Sequence, residues 1–204
     1  MGMIERKKRL LMIRKSRIPF EYQEVEWVLG NNCRIDLNYV PKVSPKAIAK
    51  MAINALGDRD VMGFPDNTYP SFIINPSCSN NFQTAIWFNR YGSTSAYSFY
   101  YLPHQDVPNL YEFGREVYVN GERKAQLDEA DWSQNVKSFQ VFAGRSAHIG
   151  VTFYDFKLYD GDAIVRNLVP CYRKADSVIG MYDLITSTFF TSISGGTFTK
   201  GPDV

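Results

Sequence analysis

The sequence predicts an all-β fold, two antiparallel sheets packed as a sandwich. Apolar and polar residues alternate with period two along many short segments, the signature of strands with one buried and one wet face. Turn-forming residues separate these segments at intervals of about 8–12 residues, the spacing of a sandwich or barrel. The aromatic residues are mainly Phe and Tyr, 14 and 13 in 204 residues, and both favour strands. No fixed-period repeat or low-complexity tract interrupts the pattern.

Residues 1–17 read as a basic arm ahead of a single domain, 18–204. Arg6, Lys7, Lys8, Arg9, Arg14, Lys15 and Arg17 are opposed only by Glu5, while the remainder carries 16 basic and 20 acidic residues, a net −4 within an overall +2. That asymmetry suggests a tail with its own partner. The candidate docking residues are Arg6, Lys7, Lys8, Arg9, Leu10, Leu11, Arg14 and Lys15; a frayed, solvated terminus is the competing reading. The apolar stretch Leu10–Ile13 is short of the roughly 7–15 residues of a secretory signal. Met1-Gly2 lacks the downstream Ser or Thr of a myristoylation signal. No run of about 18 apolar residues is present, so no transmembrane helix is expected. The near-neutral total charge does not point to nucleic acid, no membrane span is expected, and with no aromatic residue in the arm its contact with nucleic acid or membrane is a lesser option than docking on a larger assembly.

The domain opens with alternation over Glu21–Val28, turns at Gly30-Asn31-Asn32, and continues as a strand over Cys33–Tyr39, where Cys33, Ile35, Leu37 and Tyr39 share one face. Lys46–Asn54 is ambiguous. Ala and Lys favour a helix, whereas alternation sets Ala47, Ala49, Met51 and Ile53 on one strand face. Strands are expected over Asp60–Phe64, Ser71–Asn75, Phe82–Asn89 and Tyr97–Leu102, with Pro76–Asn81 and Pro103–Pro108 as loops. Tyr111–Val119 reads as one strand leading into Asn120-Gly121, the strongest short hairpin signal, and Glu122–Leu127 returns. Phe139–Phe142 is a further strand. In Val151–Tyr159, Tyr154, Phe156 and Leu158 alternate with Asp155 and Lys157. Asp160-Gly161-Asp162 then turns the chain, and Ile164–Val169 returns to Pro170, which is expected to end the strand because it cannot donate to a ladder. Cys33, Cys78 and Cys171 are odd in number and widely spaced, without a Cys-x-x-Cys pair; three buried thiols are expected over one disulfide.

The closing segment 151–204 resembles that of concanavalin A-like (laminin G-like) jelly-roll domains found in gut bacterial surface proteins and their bacteriophages. The resemblance rests on Lys157-Leu158-Tyr159, Ile164-Val165-Arg166, Val169-Pro170-Cys171-Tyr172-Arg173, Gly180-Met181-Tyr182-Asp183, Phe189-Phe190 and Gly196-Thr197-Phe198-Thr199-Lys200-Gly201-Pro202. Val117-Tyr118-Val119-Asn120-Gly121 is similar to a recurrent hairpin of the same domains. The resemblance implies a concanavalin A-like jelly roll, a strand at Lys46–Asn54, and structural roles for Arg166, Asp183 and the Val169-Pro170-Cys171 corner in closing the sandwich, with Tyr182-Asp183 shaping a turn.

Enzymes of that fold use a Glu-x-Asp-x-x-Glu strand whose two glutamates serve as nucleophile and acid/base. Here Glu129-Ala130-Asp131-Trp132-Ser133-Gln134 ends in Gln, which cannot donate and recover a proton, so no catalytic residue is expected. Asp58 with Asp60, and Asp160 with Asp162, are carboxylate pairs that read as turn chemistry. Calcium, which needs six to eight oxygens, is the alternative weighed, and otherwise no cofactor is expected. Sugar binding needs an aromatic platform beside polar groups. The candidates are Trp87, Asn89, Arg90 and Tyr91 in one patch, Tyr97 and Tyr101 with Tyr100 and His104 in another, and Trp132, whose polar loop suggests exposure. Packing between strands competes with each.

These readings imply a non-enzymatic structural or adhesion protein on a bacteriophage virion surface, as a decoration, head-fibre or tail-associated subunit. It would dock through its arm on other virion proteins, self-associate, and present a lectin-like domain toward surface glycans. The alternatives are a bacterial cell-surface carbohydrate-binding module and, remotely, a glycoside hydrolase.

Overall fold

The computed structural model describes residues 16–54, 60–65, 72–78, 83–88, 96–100, 107–127, 131–142 and 150–204, with 72–78, 83–88 and 96–100 described by their backbone alone. Every helix or strand among them is a strand. In chain order they are β1 (Tyr22–Glu24), β2 (Val28–Asn31), β3 (Ile35–Asp36), β4 (Pro45–Ile53), β5 (Met62–Gly63), β6 (Phe72–Cys78), β7 (Gln83–Phe88), β8 (Ala96–Tyr100) and β9 (Asn109–Phe113). There follow β10 (Glu116–Val119), β11 (Glu122–Gln126), β12 (Gln140–Val141), β13 (Val151–Asp160), β14 (Ala163–Arg173), β15 (Ile179–Asp183), β16 (Thr188–Phe190) and β17 (Thr197–Lys200). The larger sheet runs β11-β10-β9-β4-β13-β14-β15-β16, with β1 beside β14 and β2 joining β13 to β17. The smaller runs β3-β12-β5-β6-β7-β8. Every pairing is antiparallel, so the molecule is an all-β, two-sheet sandwich.

Alternation decides over propensity at β4. Ala47, Ala49 and Met51 are fully buried while Lys50 is exposed, a pattern with period two that a helix does not produce. Strand β13 is the hub of the larger sheet. It pairs with β4 along one side, and along the other with β2 over Val151–Phe153 and then with β14 from Phe156 onward. The Asn120-Gly121 hairpin forms as expected. Both residues adopt positive φ, 52° and 81°, which matches the right-handed twist of the flanking strands and which a β-branched residue would resist.

Five strand expectations need correction. Of Cys33–Tyr39 only Ile35–Asp36 is strand, and Asn38 takes a positive φ of 50° as the chain leaves it. The opening strand is interrupted between β1 and β2, because the chain changes neighbours there. Val25 donates to Pro170 O, Glu26 to Pro202 O, and β2 then pairs with β13 and β17. Tyr111–Val119 is a hairpin, β9 turning at Gly114-Arg115 into β10. Phe113 pairs with Val117, so residues of one parity stay on one face through the turn and the alternation continues unbroken. Strand β6 runs on through Pro76 to Cys78, where a bulge between Asn75 and Cys78 accommodates a residue that has no N–H. Pro170 does not end β14. Its carbonyl accepts from Val25 at the point where pairing with β13 has ended and pairing with β1 has not begun, so the missing N–H leaves no gap in the ladder.

The core contains a continuous run of rings. Trp132 packs on Phe64, Phe64 on Phe139, Phe139 on Phe156, Phe156 on Phe153, Phe153 on Phe142 and Phe142 on Phe198, with centroids 4.7 to 6.2 Å apart. Trp132 is therefore 2% exposed. Its polar neighbours Asp131, Ser133 and Gln134 face solvent while the indole turns inward. A second, smaller cluster lies on the outer face of the larger sheet, where Ile18 covers Val169, Cys171 and Tyr182, with Tyr22, Leu184 and Phe189 against them. Cys33 and Cys171 are free and buried. Burial, helped by Glu24, pushes the Cys171 thiol up to about 12.

Arg166 ties β14 to the chain just after β3, whereas Asp183 braces the turn after β15, and Val169 and Cys171 of the expected closing corner lie instead in the outer cluster. Asp183 is fully buried and accepts from the Asn167 and Ile185 amides and the Thr186 hydroxyl, which shapes the turn after β15. Arg166 lies 3.7 Å from it and donates to the carbonyls of Leu37, Asn38 and Val165. Every formal charge in this buried pair is met by hydrogen bonds, the condition under which such a pair is tolerated.

Gly30 sits where any side chain would overlap the Phe142 ring, and Phe142 itself is held at φ 62°. Gly30→Ala is expected to lower stability by about 1–3 kcal/mol in urea unfolding, whereas Gly195→Ala, with no atom within 4 Å of the added carbon, leaves the midpoint nearly unchanged.

Candidate functional site

The outer face of the larger sheet, beyond the Ile18 cluster, carries a solvent-open cleft of about 740 Å³. Ser44, Pro45 and Lys46 at the start of β4, Glu112 on β9, Arg115, Glu116 and Tyr118 on and before β10, Gly121 and Gln126 about β11, and Gly161-Asp162 in the β13–β14 turn line it. Strand parity places them. On β9 and β10 the odd-numbered Tyr111, Phe113, Val117 and Val119 are buried, so Glu112, Glu116 and Tyr118 face outward. The ladder then sets Tyr118 opposite Glu112 and Glu112 opposite Ile48.

One wall is fixed by Asp160. Its carboxylate accepts from the backbone amides of Lys42, Val43 and Ser44 at 2.8, 2.8 and 3.0 Å, and from the Tyr39 hydroxyl at 3.1 Å. The Gly161 amide returns a bond to Ser44 O. Segment 42–44 and the β13–β14 turn are thereby held against each other. Burial, and then the charge and hydrogen bond of Asp160, push the Tyr39 phenol up.

The opposite wall is fixed by Glu116. It accepts from Tyr118 Oη at 2.7 Å and from Arg123 at 3.4 Å. The Tyr118 hydrogen bond is the main cause holding the Glu116 carboxyl below its ordinary value, with Arg123 and Arg115 adding to it. The same bond pushes the Tyr118 phenol up. The ring is thus anchored at its hydroxyl. Lys46 places its ammonium 4.7 Å from the Tyr159 ring, a cation–π contact. Among the described residues, no hydrogen bond or ion pair engages the carboxylates of Glu112 and Asp162. The cleft therefore offers an anchored aromatic ring, an amide at Gln126, free carboxylate acceptors and a cation, a set able to bond several hydroxyls beside a C–H face.

None of the described residues expected to bind sugar lines this cleft. Asn89, Arg90, Tyr91, Tyr101 and His104 lie outside the described residues, as does the arm 1–15 with Arg6, Lys7, Lys8, Arg9, Leu10, Leu11, Arg14 and Lys15. Trp87 pairs with Ile73 and Ala96, whereas Tyr97 pairs with Ile86. The Tyr97 row runs on through Ile74, Met62 and Val141 to Ile35, and the last three are core residues. The Trp87 row runs through Gly63 and Gln140 to Asp36, on the other face. Trp87 and Tyr97 therefore hold register positions of opposite parity, with Tyr97 in the row of Met62, Val141 and Ile35. Trp132 is corrected outright, since a ring buried against Phe64 offers no face to a sugar. Of the carboxylate pairs, Asp58 lies outside the described residues, and Asp160 is filled by four protein donors. Asp162 faces the cleft.

No protein-family model matches the chain, and no curated protein matches it. Among solved structures it is similar to a "putative carbohydrate binding protein" from Bacteroides ovatus ATCC 8483, with TM-score 0.55 and 12% identity over 89% of this chain. The chain spans 62% of the length of that protein. At such identity the likeness concerns the fold.

Tyr118→Phe is expected to raise the Glu116 carboxyl toward its ordinary value, because the largest cause of its depression is removed. Carbon-detected NMR titration of the Glu116 side chain reads the upward movement; an unmoved titration would show that the anchoring bond is absent in solution.

Proposed function

We propose that this protein is a non-enzymatic glycan-binding subunit, a lectin-like domain of concanavalin A-like jelly-roll type carried on the surface of a bacteriophage particle. The decoration, head-fibre and tail-associated positions all suit it. The observation that carries the glycan reading is the cleft of the larger sheet, with its anchored Tyr118 ring and free carboxylates beside Gln126. The two-sheet fold that this chain shares with a protein of carbohydrate-binding description supports it. The virion setting is supported by the sequence asymmetry, a cationic arm on a mildly acidic body, which suits docking on an acidic assembly. The non-enzymatic reading is supported by Gln134 standing where a second glutamate would be needed, and by Asp131, whose carboxylate is taken by the Ser133 amide in a local turn. No cofactor is required by this role. The partners are other particle proteins, further copies of the chain, and surface glycans.

A bacterial cell-surface carbohydrate-binding module is the second reading, favoured by the bacterial origin of the similar structure. The same cleft would serve in either setting.

A glycan array probed with the full chain is expected to give discrete positive signals, weakened by Tyr118→Ala. Trp87→Ala tests the smaller sheet in parallel, and loss there alone would move the site to that sheet. Deleting residues 1–17 is expected to abolish co-sedimentation with the particle and leave glycan binding intact. Unchanged co-sedimentation would remove the support for arm docking.

A further inference from the structure

We propose that the β3–β12 margin of the smaller sheet holds a second binding site, for a secondary amide of the kind a 2-acetamido sugar carries, with Arg34 donating to its carbonyl oxygen and Gln140 accepting from its N–H. The site shares only the class of ligand with the glycan reading and does not involve the cleft. Strand parity brings its residues together. Ile35 and Val141 pair with each other and are fully buried in the core, so Asp36 and Gln140, the next pair along, turn to the other face. Arg34 precedes Asp36 by two residues, between the buried Cys33 and Ile35. It therefore joins them, diagonal to Gln140 at the roughly 7–8 Å that long side chains bridge. Strand β3 is the last of its sheet. Arg34 and Asp36 there are half-buried, and Gln140 is 6% exposed.

Two polar atoms of this group, Arg34 Nε and Gln140 Oε1, are buried without a hydrogen-bond partner. Asp36 is satisfied. It accepts from the Asn38 amide and the Ser138 hydroxyl on one oxygen, and from Gln140 Nε2 at 3.4 Å on the other. A carboxylate only accepts, so Asp36 fixes which end of the Gln140 amide faces it and leaves Oε1 turned away. On its other flank Gln140 pairs with Gly63, which has no side chain to supply a donor. Buried polar atoms left unpaired are uncommon and costly. Here one is a donor and the other an acceptor. A secondary amide offers the complement of both, a carbonyl oxygen and an N–H on opposite sides of one planar group. An anion would satisfy Arg34 but set an oxygen against Gln140 Oε1. An extended peptide is disfavoured as the source of the amide, because the backbone about β3 is already engaged. Arg34 bonds to Ser192 and Ile193, and Leu37 to Phe139 and Arg166, so no run of free groups remains for strand addition.

The test titrates the full chain by calorimetry with the N-acetylglucosamine trimer, the glucosamine trimer, cellotriose, and N-acetylglycine N-methylamide as a peptide-like amide. The acetamido trimer is expected to bind at least about tenfold more tightly than the other three, because a site built around buried polar groups rejects an analogue that leaves them unpaired. Arg34→Met and Gln140→Met are each expected to remove that margin, and Tyr118→Ala to keep it. Each Met replaces an unpartnered buried atom with an apolar one, so the urea midpoint is expected to stay or rise. A margin lost together with a lowered midpoint makes the role of these residues structural and overturns the site. No margin for the acetamido trimer, or one that survives both Met substitutions, overturns it as well. Cellotriose binding that falls with Tyr118→Ala upholds the cleft in either case, so the two readings fail separately. The N-acetylglycine amide binding as tightly as the trimer overturns the sugar assignment in favour of peptide.

Discussion

The carboxylate of Asp160 is the contact on which the arrangement of the cleft depends. Segment 37–44 leaves β3 in the smaller sheet and enters β4 in the larger, so it crosses the end of the sandwich with its backbone groups outside either ladder. Backbone groups outside a ladder need other partners, from side chains or from water. An anion supplies them at one end, where Asp160 takes the amides of residues 42–44, and a cation at the other, where Arg166 takes the carbonyls of Leu37 and Asn38. Tyr39 lies between, its hydroxyl on Asp160 and its ring 5.1 Å from the Arg166 guanidinium. The Arg166 bonds to Leu37 O are buried and carry the most weight in this clamp, while solvent screens the exposed Asp160 bonds to the Lys42 and Val43 amides. Both charges stand on the β13–β14 hairpin, and through them its register sets where Ser44, Pro45 and Lys46 stand at the cleft.

The loop 131–139 reinforces the same crossing from the other side. Leu37 donates to Phe139 O and Phe139 to Tyr39 O, Asn135 donates to Pro41 O, and Lys42 donates to Ser133 O. The inward turn of Trp132 follows from this arrangement, because the loop must lie close over the end of the core to make those bonds. Half of the cleft thus rests on loops that are bonded as fully as strands, and the other half on β9, β10 and β11 themselves. A cleft of this construction is preorganised, which would lower the ordering cost of any ligand bound there.

The elements legible in the sequence were those whose signal is local. Alternation marked β4 and β13, and Asn120-Gly121 marked its hairpin, because side-chain parity and positive φ are properties of a few adjacent residues. What was not legible depended on pairing. The β9–β10 turn was hidden because a hairpin that pairs Phe113 with Val117 preserves parity. Pro170 reads as a terminator until its neighbours are known, and is harmless at a change of partner. Trp132 looked exposed because its neighbours are polar, although one residue among them can turn inward. The cleft is hidden in the sequence for the same reason. Glu112, Glu116 and Tyr118 were visible as polar positions alternating with Phe113 and Val117, but their convergence with Lys46 and Asp162 exists only once β9 lies beside β4 and the β13–β14 turn folds against Ser44. Trp87 and Tyr97, grouped by composition, are separated by one step of register, which moves a residue to the opposite face.

The root of the arm and the cleft share one face of one sheet, and this constrains how a tethered domain would work. Val169 and Tyr182, covered by Ile18, have the parity of Asn167, which pairs with Lys157; Lys157 pairs with Ile48, and Ile48 with Glu112. Four strand steps separate β15 from β9 in the sheet order, roughly 19 Å at the usual interstrand spacing. Arg17, bonded to Glu24, and Ile18, buried in the outer cluster, fasten the root to β1, β14 and β15. Tension on the arm would therefore be borne by ladders of β14 and its neighbours, several strands from the cleft. The cleft wall nearest that load is the β13–β14 turn, and it is the wall that Asp160 braces. A site built on continuous hydrogen-bonded ladders resists shear along the strands far better than one on free loops, so the same ladder that fixes Glu112 opposite Tyr118 would keep that geometry while the domain is held by its tail.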